Sequence, residues 1–222
     1  MKLFRRYRRS LSVLLMAAML FTSFTVVSFG ASGTKKTTLY SDVLVSGSYA
    51  YCSVPTGIYR VNLKTNKVQR IVDNSEDYEI TGALFGMKIH KKYLYYMSTG
   101  GVGSPLYRVR KSGGKAKFLD VVYDYAIKNG KIYYECYDYK KENSAKKVMK
   151  LNGKSKRKSS YKVKAKYKKT NKKGYSLRYV NTGKREYYAD YEEYLPVIES
   201  YLVRPGKSNV LINRFFDVNE IY

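Results

Sequence analysis

The sequence has no Trp, one His, two Cys and four Pro, and its 17 Asp and Glu are far outnumbered by 43 Lys and Arg. Each scarcity excludes something. A single His and two widely separated Cys supply no zinc ligand set. No Gly-rich lysine loop, no Gly-x-Ser-x-Gly elbow and no His-Glu-x-x-His pair occurs, so the usual phosphate-loop, serine-hydrolase and zinc-protease chemistries lack their residues. No cofactor and no metal are expected. The shortage of acids leaves a formal charge of +26 on 222 residues, which bears on partners rather than on fold. A hydrophobic share of 44 % excludes a disordered polyelectrolyte. A chain of this length can bury the core of one domain.

Residues 1–30 read as a signal peptide. Lys2, Arg5, Arg6, Arg8 and Arg9 precede an apolar run from Leu11 to Val27, and small residues surround Gly30 and Ala31. The other reading is an uncleaved anchor, for which the run is short. No Cys follows it, so no lipid anchor is indicated. No later stretch is apolar enough to span a bilayer, so none is expected after cleavage. The implied location is secreted or extracellular, including association with the cell envelope. In such a compartment Cys52 and Cys136 are a candidate disulfide, worth roughly 4 kcal/mol by loop entropy. The alternative is that both are small buried apolar residues in strands.

Residues 31–222 read as strands, with almost no 3.6-residue periodicity. Turns precede Tyr-rich strands in a recurring register. Gly47-Ser48 leads into Tyr49-Ala50-Tyr51, Lys91-Lys92 into Tyr93-Leu94-Tyr95, Asn129-Gly130 into Ile132-Tyr133-Tyr134, and Lys173-Gly174 into Tyr175-Ser176-Leu177. Asn-Gly is a strong two-residue hairpin signal, because both residues must take positive φ. A second register lies behind the first. Ile58-Tyr59-Arg60-Val61, Leu106-Tyr107-Arg108-Val109, Val148-Met149-Lys150-Leu151 and Tyr201-Leu202-Val203-Arg204 each run into a tight turn and a Lys. These are four copies of about 45 residues with three or four strands each, a period that fits β-propeller blades. The expected fold is all-β, with blades at about 38–77, 78–120, 121–160 and 161–213, in a small or incomplete ring. A β-sandwich with similar hairpins is the alternative.

The pattern resembles the YWTD-type propeller repeats of low-density-lipoprotein-receptor-like proteins. It is closer still to secreted bacterial proteins that carry such repeats. Leu94-Tyr95-Tyr96-Met97 and Ile132-Tyr133-Tyr134-Glu135 stand at the YWTD-like strand. Gly57-Ile58-Tyr59-Arg60-Val61-Asn62-Leu63 and Leu106-Tyr107-Arg108-Val109 stand at the strand that follows. The resemblance covers roughly residues 42–213, and no copy has the family's Trp. It implies a propeller of stacked blades. Arg214 to Tyr222 resembles the start of a further blade that would pair beside Thr38–Val45.

The sharpest local feature runs from Lys146 to Lys173, where 28 residues hold 14 Lys or Arg and no acid. Within it, Tyr161 to Lys168 alternates strictly. As a strand it would turn Tyr161, Val163, Ala165 and Tyr167 inward and line Lys162, Lys164, Lys166 and Lys168 along one face, with Lys169 beside them. This ridge is a candidate polyanion-binding site, whose affinity would fall steeply with salt. Its other reading is a solvated edge that blocks aggregation. Ser155 to Ser160 reads as a loop.

The 26 Tyr mostly occupy alternate strand positions, where the ring packs and the hydroxyl reaches water. Tyr187, Tyr188, Tyr191 and Tyr194 form a candidate ligand or protein contact, interleaved with Asp190, Glu192 and Glu193. Those acids lack the cross-site partner that glycoside hydrolysis needs. His90 sits at a turn among lysines and has no Ser or Asp partner.

The reading is a non-catalytic binding or scaffold module for an anionic polymer or an envelope protein, with no specific nucleic acid expected. Protein or peptide docking through the blade loops and the Tyr187–Tyr194 cluster is the alternative. A carbohydrate-active enzyme is the third reading.

Overall fold

Runs of alternating apolar and polar residues form short strands, and the Gly, Asn and Lys pairs between them form the turns. Each sheet is an antiparallel meander. The first contains β1 (Val43–Ser46), β2 (Tyr49–Val54), β3 (Gly57–Asn62) and β4 (Val68–Asp73). The second contains β5 (Leu84–His90), β6 (Tyr93–Ser98), β7 (Ser104–Arg110) and β8 (Lys117–Val122). The third contains β9 (Asp124–Lys128), β10 (Lys131–Asp138), β11 (Asn143–Lys150) and β12 (Arg157–Lys158). The fourth contains β13 (Ser176–Tyr188), β14 (Glu193–Arg204) and β15 (Lys207–Phe216). This computed structural model describes residues 43–74, 84–164, 173–189 and 192–216. All of them belong to the unit Thr37–Tyr222; the other unit, Met1–Lys36, contains the whole of the expected signal peptide and lies outside the described residues. No helix occurs among the described residues.

Local chemistry explains the turns. Asn129 and Gly130 have φ of 49° and 67°, the two positive values a type I′ hairpin requires. Side chains then alternate across each sheet. In β10, Ile132, Tyr134 and Cys136 are buried while Tyr133, Glu135 and Tyr137 on the other face are half-buried.

Three core clusters set the packing order. Val43, Ala50, Cys52 and Val61 of the first sheet meet Leu202, Val210 and Ile212 of the fourth. Tyr51, Ile58 and Ile71 on the first sheet's other face meet Leu84, Leu94, Tyr96 and Val109 of the second. Tyr95, Met97 and Leu106 of the second meet Tyr125, Ile132, Tyr134 and Met149 of the third. The stacking order is therefore fourth, first, second, third, and among the described residues no cluster joins the third sheet to the fourth. Four stacked antiparallel meanders make an all-β, β-propeller-like fold. No sheet here is thick enough to bury two apolar faces alone, so each depends on its neighbours.

Polar bonds repeat across these junctions in one direction. Arg60 Nη1 of the first sheet donates to the Lys111 carbonyl of the second at 3.2 Å. Arg108 Nη1 of the second donates to the Leu151 carbonyl of the third, also at 3.2 Å. Arg204 Nη1 of the fourth donates to Asn66 Oδ1 of the first at 2.7 Å. Arg60 and Arg108 lie late in the third strand of their sheets and Arg204 ends the middle strand of its three; each reaches the turn before the neighbouring sheet's last strand. Arg60 and Arg108 also cover Tyr49 and Tyr93, at 4.8 and 4.5 Å from the ring centroids. In the third sheet Val148 stands at the position of Arg60 and Arg108.

The buried tyrosines differ from expectation. Three of their hydroxyls bond into an adjacent sheet, while Tyr59 bonds Thr56 of its own at 3.1 Å. Tyr95 donates to the Leu151 carbonyl at 3.2 Å, Tyr125 to the Gly86 carbonyl at 2.6 Å, and Tyr134 to Asp120 Oδ2 at 2.7 Å. Burial raises the pKa of Tyr95 and Tyr134, and Asp120 raises Tyr134 further. Lys88 Nζ donates to the Tyr125 carbonyl and lies 3.9 Å from that ring's centroid. Its pKa is lowered by burial, against the pull of Asp124.

Three further expectations are corrected. Ser155 to Ser160 is not simply a loop, because Arg157–Lys158 forms β12 against β11. Arg214 to Phe216 does not begin a new blade but continues β15, paired with Val197 to Glu199 of β14; residues 217–222 lie outside the described residues. Cys52 and Cys136 are free buried thiols in different sheets and different core clusters, so the candidate disulfide is not formed. Burial raises both thiol pKa values.

Two outcomes follow. Arg108→Ala should lower unfolding free energy by about 2 kcal/mol, since a charged donor and its ring contact are lost. The exposed Arg110→Gln should cost under about 0.5 kcal/mol. Urea titrations check both, and equal costs would remove the clasp from the account. A thiol reagent should find neither Cys in the folded protein and both in denaturant, with or without prior reductant.

Candidate functional site

The arginine clasps fix which ends of the sheets lie together. They join the turn before the last strand of one sheet to its neighbour, and Gly113 and Gly153 in two of these turns pack on Ile71 and Leu119. In an antiparallel meander the first and third turns share one end. Gly174 also lies against Pro205, which brings the turn before β13 to that end. All four sheets therefore gather these turns at one end of the stack.

That end is cationic. Its turns, at 47–48, 63–67, 91–92, 111–116, 129–130, 151–156, 173–174 and 205–206, contain nine lysines and no Asp or Glu. Among them, Lys156 Nζ lies 3.2 Å from Asp120 Oδ2 of the second sheet.

Two clefts open there, at equivalent places in neighbouring sheets. One, of about 330 Å³, is lined by Lys131, Val148, Met149, Lys150, Ser155 and Arg157 of the third sheet. The other, of about 270 Å³, is lined in the second sheet by Tyr93, Arg108, Arg110 and Lys117, with Gly113, Gly114 and Lys115 of the turn. The strand registers make the match explicit. Lys131 pairs with Lys150 as Tyr93 pairs with Arg110, and Val148 pairs with Arg157 as Arg108 pairs with Lys117. Among the described residues neither cleft is lined by a carboxylate. In the first sheet the matching charge is engaged, because Arg60 bonds Gln69 at 2.6 Å as well as Lys111. In the fourth, Arg204 is buried against the Ser208 carbonyl and Asn66.

The expected lysine ridge falls only in part within the described residues. Tyr161 to Lys164 carries no strand, yet burial still alternates: Val163 is buried while Lys162 and Lys164 are exposed. A ring contact holds the segment in place of a ladder. Tyr161 lies 4.7 Å from Tyr133 of β10, and Lys128 Nζ sits 5.1 Å from the Tyr161 ring. Lys166, Lys168 and Lys169 lie outside the described residues. The cleft residues were missed as site residues, although the recurrent turn-then-Lys signal already marked their position in each copy.

The tyrosine cluster divides. Tyr187 and Tyr194 pair across β13 and β14 with rings 5.5 Å apart, edge to face, at 54 % and 62 % exposure. Tyr188 is half-buried against Phe216, with rings 4.8 Å apart. Tyr191 lies outside the described residues. The Tyr187–Tyr194 pair flanks the β13–β14 turn, at the other end of β14 from the 205–206 turn, and so sits at the end opposite the lysines. The matching turns of the second and third sheets carry Val102 and Tyr139 at 61 % and 73 % exposure.

Among known proteins, the sequence matches no protein family and no curated protein. Solved structures with similar backbones include the nidogen/laminin complex, at 12 % identity and TM-score 0.38, with 77 % of this chain and 62 % of that chain covered. The N-terminal domain of Nup159 aligns at 13 % identity and TM-score 0.39, over 79 % of this chain and 47 % of that one. A prolyl endopeptidase aligns at 10 % identity and TM-score 0.40, over 72 % and 24 %. The chain spans less than two thirds of each. These likenesses are too distant to assign a partner or an activity.

The segment at 159–164 supplies a test. Tyr161→Ala should free it from Tyr133 and speed tryptic cleavage after Lys162 and Lys164. Unchanged cleavage on a time course would show that the ring contact does not hold it.

Proposed function

We propose that the chain is a non-catalytic binding module of the cell envelope or extracellular space, and that its cationic turn end holds an anionic polymer. The observation that carries this reading is the pair of equivalent clefts whose described linings are basic and hold no carboxylate. Lys131 and Lys150 face one another across β10 and β11, an arrangement that costs repulsion in the free protein and is relieved by a bound anion. Lys162 and Lys164 extend the positive surface beside the third sheet. Attraction of this kind dominates affinity and weakens steeply with salt.

The exposed Tyr187–Tyr194 pair at the other end favours a second role, contact with a protein or peptide, through rings that cost little entropy to order. The two surfaces do not compete, because different sheets carry them, at opposite turn ends.

Retention on phosphocellulose tests the main reading. K131Q/K150Q/R157Q should elute at clearly lower salt than the parent protein. The charge-matched K140Q/K141Q/K184Q, placed away from the clefts, should shift far less. Equal shifts would mean that total charge alone governs retention, and that no site exists.

A further inference from the structure

We infer that the two clefts act together on one flexible, linear chain of phosphate groups, with one segment of it in each. This rests on the polyanion reading and goes beyond it by naming the chemistry of the polymer and the way it is counted.

Continuity comes first. Arg108 lines the cleft of the second sheet and donates to the Leu151 carbonyl, and the preceding residue, Lys150, lines the cleft of the third. The clefts are thus neighbours joined through the Leu151 backbone, with Arg108 on one side and Lys150 on the other. Packed sheets lie roughly 10 Å apart, so a short oligoanion fits one cleft and a longer one reaches both.

The lining selects the chemistry. Arg110 and Arg157 offer planar forks that suit phosphate oxygens, and Lys115, Lys117, Lys131 and Lys150 add point charges. Among the described residues neither cleft offers a free aromatic face. The third-sheet cleft has no aromatic residue in its described lining. Tyr93 in the other is already covered by the Arg108 guanidinium, 4.5 Å from the ring centroid. Bases of single-stranded nucleic acid need stacking platforms, and the described linings supply none. A phosphate chain without bases needs only the cations.

Bivalent capture has a distinct signature. When two linked sites hold one ligand, losing either site removes the whole avidity gain. Two triple variants separate the clefts: R110Q/K115Q/K117Q in the second sheet and K131Q/K150Q/R157Q in the third. Arg108 is left intact because it clasps the sheets. The probes are inorganic tripolyphosphate and long-chain inorganic polyphosphate, titrated by calorimetry at fixed salt. Each triple variant should weaken long-chain binding about 100-fold. Each should leave tripolyphosphate affinity at the surviving cleft unchanged while halving the number of sites. Joining both triples should abolish tripolyphosphate binding.

Long-chain binding that falls only in step with lost charge, or falls equally in K140Q/K141Q/K184Q, overturns the bivalent inference. Tighter binding of single-stranded DNA than of polyphosphate at equal charge overturns the phosphate-chain assignment. In both cases the proposed function survives. Failure to bind any polyanion removes that function, and this inference with it.

Discussion

The guanidinium clasp between neighbouring sheets organises much else in this protein. Apolar contact holds the sheets face to face, but such contact is non-directional and leaves them free to slide along their strands. Arg60, Arg108 and Arg204 each bind a turn of the next sheet. They thereby fix the axial register of the stack. Without that register the lysine-bearing turns would be scattered; with it they share one end. The clasp also has a sense. It runs from the fourth sheet to the first, second and third, and it stops at Val148.

The tyrosines play a related part. A tyrosine in the core brings a hydroxyl that must find a partner. Tyr95, Tyr125 and Tyr134 find theirs in an adjacent sheet. A sequence with no Trp and 26 Tyr thus fills its interior with rings that also carry polar fasteners. These bonds require a particular fit between sheets, whereas leucines at the same places would accept many.

Much of the architecture was legible because it is local. Asn129-Gly130 dictated its own hairpin, and the Tyr-x-Tyr strands declared a period of two. The copy length of about 45 residues then implied stacked small sheets. What resisted reading depended on contacts between copies. The alternation from Tyr161 to Lys164 is that of a strand, but the segment is held by Tyr133 rather than by a ladder, a choice no local pattern encodes. Arg157 and Lys158 lack strand character and pair with β11 because that edge is available. The two thiols lie in strands whose places in the stack keep them apart. The cationic end was written in the sequence as a Lys after each tight turn. It became a surface only when the clasps set the turns side by side.

The order of the stack also bears on how the chain acquires its structure. The first three sheets meet neighbours that adjoin them in sequence, and their junctions close over short loops. The fourth instead packs on the first, through Arg204 with Asn66 and Asn213 with Thr56, residues 138 and 157 positions apart. Closing so long a loop costs entropy before any contact compensates it. Cys52 and its apolar neighbours remain open to solvent until that late encounter. The slowest step of folding is therefore the homecoming of the last sheet, and a chaperone's time would be spent guarding one face of the first.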